Sequence, residues 1–389
     1  VTAAAGAPPR LDDAERRRRL VTRHHLHGTA PDVPSAVAAV GALHSSDPVT
    51  PVLAVRARVA GATVADVDAA LYDDRTLWRL HAMRRTLWVA RVRDVPELHA
   101  ATSRRVHGAE LRRAAGWLAD EGVAAPTARL VALGGDVRAL LSDGVPRTAR
   151  EVTAAVPGLA DRLRGGSTSL GSRVLFLEAL AGGVVRTAPA GGWTSSQYAW
   201  TTSDTWFGPG PGEALEVAEP GAAVTGLVRR HLRACGPATR DDVRWWTGLP
   251  ARDVDAAARA LHVTTVVLER GEEAWVLPDD VAPTPPPAGG VALLPGLDPS
   301  VMAWKDRGWL LGAHADRLFD RNGNAGPTVL VDGAVVGGWA TDPDGVVVHD
   351  ADVAVADVDA AAAVLTAWLD GTALRPRFPS PASRALAGG

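Results

Sequence analysis

The sequence predicts an α+β chain: three tandem winged-helix units followed by a small β-rich C-terminal module. Three observations carry this expectation. A run of helical pattern followed by paired β-rich runs occurs three times, in degenerate copies of roughly 70 to 100 residues, too long for a short-period solenoid. Two linker-like stretches, Gly208-Pro209-Gly210-Pro211-Gly212 and the Pro-rich segment 283–290, punctuate the second half. Beyond the second, short apolar runs replace the repeating order. The expected units are residues 11–120, 121–207, 213–281 and 290–389.

Each element follows from local pattern. Residues 1–9 are small and Pro-containing and read as a mobile tail. Helical pattern begins at Leu11, and residues 33–43 read as a second, apolar helix. Ser46-Asp47-Pro48 is a stop and restart: Asp47 can cap a third helix over 49–59, with Pro48 in its first turn. Thr63-Val64-Ala65-Asp66 opens a short helix to Leu71. The runs Leu77-Trp78-Arg79-Leu80 and Thr86-Leu87-Trp88-Val89, joined by Met83-Arg84-Arg85, form the first hairpin. The second copy has helices over 126–141, from Thr148, and over 169–181, then strands at 184–187 and 197–200. In the third, a helix runs through Arg229-Arg230-His231-Leu232. Thr239 caps the next helix, which carries Trp245-Trp246 and stops at Gly248. Residues 250–261 are the candidate recognition helix, and 263–268 with 274–277 flank Arg270-Gly271-Glu272-Glu273 as a wing. The C-terminal module has short strands at 291–295, 329–331, 335–338 and 346–349, a helix near 360–369, and a barrel-like closure as one arrangement.

Composition narrows the function classes. The 389 residues are 47% hydrophobic and 22% charged, which is globular composition. One cysteine excludes a disulfide framework and any thiolate metal cage. No apolar run approaches the roughly 20 residues of a membrane span. Arg16-Arg17-Arg18-Arg19 has no apolar segment behind it, so no secretory signal is expected. The expectation is a soluble, cytoplasmic, nucleoid-associated protein without a membrane partner. Net charge is −3, which argues against nucleic acid, yet Lys305 is the single lysine among 41 basic residues. Arginine dominance accompanies a GC-rich coding sequence. Guanidinium groups also suit phosphate contact better than ammonium groups do, so placement matters more than the sum.

Standard catalytic signatures are missing: no His-Glu-x-x-His, no Walker A, no Gly-x-Ser-x-Gly elbow and no strand-to-helix Gly-x-Gly-x-x-Gly. His24-His25-x-His27 lacks the further ligands a metal needs, so neither metal nor cofactor is expected. His44-Ser45-Ser46-Asp47 sits between helices, where side chains can point into a groove. His44 could position or deprotonate a water, and Ser46 could share it. The structural alternative has His44 ending one helix while Ser46-Asp47 caps the next; Asp47 is assigned to capping either way. Arginines cluster where a winged helix meets DNA. Arg84 and Arg85 lie on the first hairpin turn, and Arg240 and Arg244 on the second helix of the third unit, beside Arg229, Arg230 and Arg233. Arg104-Arg105 and Arg112-Arg113 follow on helices. Any one of these arginines taken alone fits a solvated face better; the set favours nucleic acid. The polar turn 319–327 is structural by conformation, with Arg317 and Arg321 as backbone contacts at most.

Several of these segments together carry a resemblance. They are Ala42-Leu43-His44-Ser45-Ser46-Asp47-Pro48, Met83-Arg84-Arg85-Thr86-Leu87, Gly236-Pro237-Ala238-Thr239-Arg240-Asp241-Asp242-Val243-Arg244-Trp245-Trp246, Leu294-Pro295-Gly296-Leu297-Asp298-Pro299, and Asp320-Arg321-Asn322-Gly323-Asn324-Ala325-Gly326-Pro327. With them the chain resembles the AlkZ/YcaQ family of bacterial DNA glycosylases over residues 11–381. The resemblance implies a metal-free monofunctional glycosylase that excises bulky N7-alkylguanines from double-stranded DNA, often as self-resistance to a genotoxic natural product. It also implies a catalytic role for His44 and Ser46, which occupy the positions of the family's Gln-x-Gln or Gln-x-Asp pair. An imidazole and a hydroxyl in place of that pair is a departure. A monomer is expected. The alternatives are a DNA-binding regulator or lesion sensor without catalysis, and a protein–protein scaffold.

Overall fold

The computed structural model describes residues 7–161, 169–353 and 356–388. Residues 1–6 of the expected N-terminal tail lie outside the described residues. The chain divides into two compact units, one within Val1–Thr63 together with Val228–Gly389 and the other within Val64–Leu227. The first boundary falls inside the stretch expected to form the first winged unit, and the second inside the helix Pro220–Cys235.

The first unit opens with an unexpected strand. Arg10–Leu11 runs parallel to Thr264–Leu268, and Pro9 accepts the Val267 N–H. The antiparallel wing Thr264–Leu268 and Glu273–Val276 is thereby widened to three strands, with Leu11, Val266, Leu268, Ala274 and Val276 as its buried face. The helices are Asp13–Arg23, Val33–Ala39, Val49–Arg56, Arg240–Thr247 and Ala251–Ala260. Thr239 and Asp242 exchange side chain-to-backbone bonds in a capping box, and Gly248, at φ 71°, ends that helix. The apolar run 33–43 does not stay helical throughout. Its helix stops at Ala39, Gly41 adopts φ 81°, and Leu43–His44 is extended. A left-handed glycine past the last turn explains the break.

The C-terminal part is an open antiparallel meander in the order Val291–Leu294, Thr328–Val331, Ala334–Thr341, Val347–His349. No pairing between its first and last strands occurs among the described residues, so the sheet does not close as a barrel. Asp332 and Gly333, both at positive φ, make the two-residue turn that suits the right-handed twist of a hairpin. Trp339 is buried at the centre and donates its indole N–H to the Leu294 carbonyl over 2.8 Å.

The second unit contains the hairpin Leu77–His81 and Leu87–Arg91, the helix Arg104–Asp120, and a three-helix arrangement with its own small sheet. The last comprises Pro126–Leu141, Ala149–Ala155 and Leu170–Ala181, with Arg147–Thr148, Tyr198–Thr202 and Val184–Pro189 as its sheet. Thr148 and Glu151 form a second capping box. Leu130, Leu133, Leu141, Val152, Val174 and Trp200 lie in its core.

Candidate functional site

Residues 41–48 of the first unit are held at both ends by buried anchors. Ala42 and Leu43 are fully buried, Ser45 nearly so, and His44 is buried at 8% exposure. Ser46 is half-buried. His44 therefore stands on an extended segment, not at a helix end. The Ser46 backbone N–H donates to His44 Nδ1 over 3.3 Å. A neutral ring with Nδ1 accepting carries its proton on Nε2. This ring form can donate to a water oxygen; taking a proton at Nε2 requires the opposite tautomer.

Asp47 fixes the segment. One carboxylate oxygen accepts the Val49 N–H at 3.3 Å, at the start of the following helix. The other accepts the Arg377 backbone N–H at 2.8 Å, while the Arg377 guanidinium donates to the Ser46 carbonyl at 3.4 Å. Burial pushes the Asp47 carboxyl above the ordinary range, against these bonds and the Arg377 charge, which pull it down. Behind it lies a void of about 20 Å³ bounded by Asp47, Leu53, Gly296, Trp339 and Thr341, room for about one water.

The other quoted motifs support this loop. Thr50 donates to the Gly296 carbonyl at 2.7 Å, and Leu297 N–H to the Ala325 carbonyl at 2.9 Å. Asp298 takes a bidentate pair from Arg58, both fully buried, with Arg58 also donating to Ser300 at 2.7 Å. Ser300 lies 2.8 Å from His24 Nδ1, and His24 Nε2 faces the Ala234 carbonyl at 3.1 Å. Complete burial, then the charge of Arg58, pushes His24 down to about 3. His24 is thus a neutral structural bridge. His25 turns to Thr29 instead, and no cluster of three metal-ligating side chains occurs among the described residues. The 320–327 turn is internally bonded, Asp320 accepting the Asn322 and Asn324 N–H groups.

The glycosylase resemblance now has independent support. The sequence matches the family model described as DNA glycosylase AlkZ-like over residues 37–371. The chain belongs to the AlkZ-like DNA glycosylase family. It acts on DNA as a hydrolase of the base–sugar bond. Among solved structures, the Streptomyces sahachiroi DNA glycosylase AlkZ matches with a TM-score of 0.73 and 24% identity, covering 94% of this chain and 99% of that one. This likeness extends to the fold. A comparison with curated proteins gives no match. No helix among the described residues is long and apolar enough to cross a membrane.

The arginines of this AlkZ-like protein differ in how they are held. Arg84 and Arg85, in the second unit, occupy the two central positions of a tight turn at φ 54° and 64°, closed by Thr86 N–H to the Met83 carbonyl. Both are exposed. A turn with two left-handed residues prefers Asn-Gly, so two arginines there are strained. Arg85 pairs with Glu110 at 2.7 Å, but the same carboxylate receives Arg173 at 2.9 Å and lies 3.5 Å from Arg113. One buried anion facing three cations leaves this neighbourhood positive. Arg240 and Arg244 in the first unit are differently placed. Arg240 makes a bidentate pair with Asp255 on the next helix, both contacts 2.6 Å, and Arg244 pairs with Asp241 at 3.2 Å. For these two to grip phosphate they must exchange one anion for another.

Proposed function

We propose that this glycosylase excises bulky N7-alkylguanine adducts from double-stranded DNA, acting as a monomer, with self-resistance to a genotoxic natural product as its biological role. The observation that carries the reading is the His44–Ser46 pair, an imidazole and a hydroxyl two residues apart on a loop clamped by Asp47 and Arg377. Such a pair suffices only for an activated base. An N7-alkylated guanine is already cationic. When the C1′–N9 bond breaks, its electron pair neutralises that charge, and the base leaves without being protonated. The work left is to shield an oxocarbenium-like sugar and aim a water at C1′.

In the ring form that the Ser46 amide selects, Nε2–H of His44 donates to the water oxygen and fixes its position. The Ser46 hydroxyl accepts one of the water's hydrogens. The water oxygen bonds to C1′, and its surplus proton leaves to solvent once that bond has formed. His44 is thus assigned to directing the water more than to deprotonating it. Arg84 and Arg85 are assigned to backbone phosphates at the hairpin, with Arg240 and Arg244 as further contacts. No metal or cofactor takes part in the proposed chemistry.

The test is base release from a duplex carrying an N7-alkylguanine, in the presence of chelator, with abasic sites read as breaks after alkali. Release is expected from the wild type and is expected to vanish in the His44→Ala, Ser46→Ala double variant. Unchanged release in the double variant removes these residues from catalysis. A gel shift without breaks removes this adduct class from the reading.

A further inference from the structure

In the second unit, a guanidinium stands without a carboxylate partner among the described residues. Arg186 lies on the strand Val184–Pro189, opposite Trp200 in the neighbouring strand, and its guanidinium stacks 4.2 Å from the Trp200 ring. One amino group donates to His81 Nε2 over 3.0 Å. His81 is packed edge-on against Phe176, and burial, then Arg186 itself, pushes it down to about 3, so it is a neutral acceptor. No carboxylate pairs with Arg186 among the described residues. Asp68 bears on Arg79, not on Arg186.

Arg79 lies near enough to repel Arg186. It stands two residues before His81 on the same strand and therefore on the same face. It lies 4.6 Å over the Tyr198 ring and donates to the Tyr72 hydroxyl at 2.7 Å. Burial, then repulsion by Arg79, pushes the Arg186 guanidinium down to about 9, still charged at neutral pH. The Tyr198 hydroxyl, 9% exposed as a residue, is buried without a hydrogen-bond partner. Arg186 as a residue is half-buried. A desolvated cation and an unused hydroxyl donor are each costly when left unsatisfied. Their shared remedy is one anionic oxygen cluster.

We propose that Arg186, together with Arg79 and the Tyr198 hydroxyl, is a phosphate-binding site. Arg186 supplies the fork of donors that fits two phosphate oxygens, with Trp200 holding its plane. The phosphate is a backbone phosphodiester of DNA or a free phosphate group. The proposal does not depend on the His44–Ser46 assignment, because its test reads binding and stability without base release.

Two variants separate charge from packing. Arg186→Met keeps a stem on Trp200 and removes the charge; Arg186→Lys keeps a charge. Affinity for an unmodified duplex is measured by fluorescence anisotropy across a salt series. If a phosphodiester is bound, the slope of log K against log salt falls by about 0.9 in Arg186→Met and is largely kept in Arg186→Lys. If free phosphate is bound, inorganic phosphate raises the melting temperature of the wild type above a chloride control of equal ionic strength. That rise is then absent in Arg186→Met, and the duplex slope does not change. Without any anion, Arg186→Met is expected to melt at or above the wild-type temperature, since an unpaired desolvated charge is gone. An unchanged slope together with no phosphate effect overturns the proposal. A melting temperature several degrees lower in Arg186→Met, again with neither anion effect, makes Arg186 a packing strut and overturns it equally.

Discussion

Replacing Arg84-Arg85 by Asn-Gly separates strain from function at the first hairpin. Both residues sit in the left-handed region, at φ 54° and 64°, where a residue with a Cβ carries about 1–2 kcal/mol of steric cost. Asn tolerates the first position and Gly the second, so relief is expected to contribute about 2 kcal/mol over the pair. Two effects oppose it. The Arg85–Glu110 pair, exposed on its arginine side, is worth about 1 kcal/mol or less, and Glu110 keeps Arg173 at 2.9 Å, so no buried carboxylate is orphaned. Glycine also adds about 0.5–1 kcal/mol of unfolded-state entropy. The net is a stabilisation of about 0–1.5 kcal/mol, or up to roughly 6 °C in melting temperature for a unit of this size. Binding should move the other way. Up to two phosphate contacts are lost, lowering the salt slope by about 0.9 for each. Scanning fluorimetry and duplex anisotropy across salt measure both quantities. A more stable variant with an unaltered salt slope refutes the hairpin as a DNA contact, and a less stable variant refutes the strain argument.

Other consequences follow from groups away from the hairpin. Asp298→Ala leaves Arg58 buried without its partner and is expected to cost about 3–5 kcal/mol in denaturant unfolding, whereas Arg58→Met with Asp298→Leu should cost clearly less. Burial pushes the Cys235 thiol well up, so a thiol reagent should label it only under unfolding conditions; rapid labelling of native protein would contradict its placement. His24, His81 and His231 are each pushed down to about 3, chiefly by burial. The unfolded chain therefore takes up protons near 6.5 that the folded chain refuses. Stability falls as pH drops below about 6.5, by up to ~1.4 kcal/mol per pH unit for each histidine, and the loss is complete near 3. His231→Phe, keeping the stack on Trp246, should flatten that fall; an unchanged acid limb in denaturant titrations would argue against a neutral buried His231.

Local signals in the sequence were enough for several helices and hairpins of the second and third expected units. Thr148 with Glu151 and Thr239 with Asp242 mark helix starts at the right spacing, and Asp332-Gly333 marks a hairpin. What escaped was non-local or hidden in an apolar run. The strand Arg10–Leu11 exists because of a partner more than 250 residues away, and two residues carry no periodicity. The end of the second helix was masked by Val40, Ala42 and Leu43, which are apolar whether helical or extended; Gly41 was the available signal. At the candidate site, His44 and Ser46 could be singled out by motif, and Asp47 by its place before Pro48. Arg377, which clamps that loop, offered nothing to local reading, because its role depends on a contact 330 residues distant. Arg58 and Arg186 were indistinguishable in sequence from any other arginine.

That last point changes how the charge balance should be read. Net charge counts Arg58 and Arg186 equally, yet one is cancelled by Asp298 in a fully buried pair and the other has no carboxylate partner among the described residues. Arg240 is likewise satisfied by Asp255, while Arg85 shares Glu110 with Arg113 and Arg173. A chain with total charge −3 can hold strongly positive neighbourhoods when its acids are committed elsewhere. The field felt by a phosphate is set by the local surplus, and screening confines it to about 8–10 Å. Distant acidic residues therefore do little to weaken the phosphate contacts proposed at the hairpin and at Arg186. Removing one committed acid near them would do more. Glu110→Gln should raise duplex affinity at low salt while destabilising the unit, because three arginines lose their common anion. If affinity does not rise as stability falls, local surplus charge is not what draws DNA to this face.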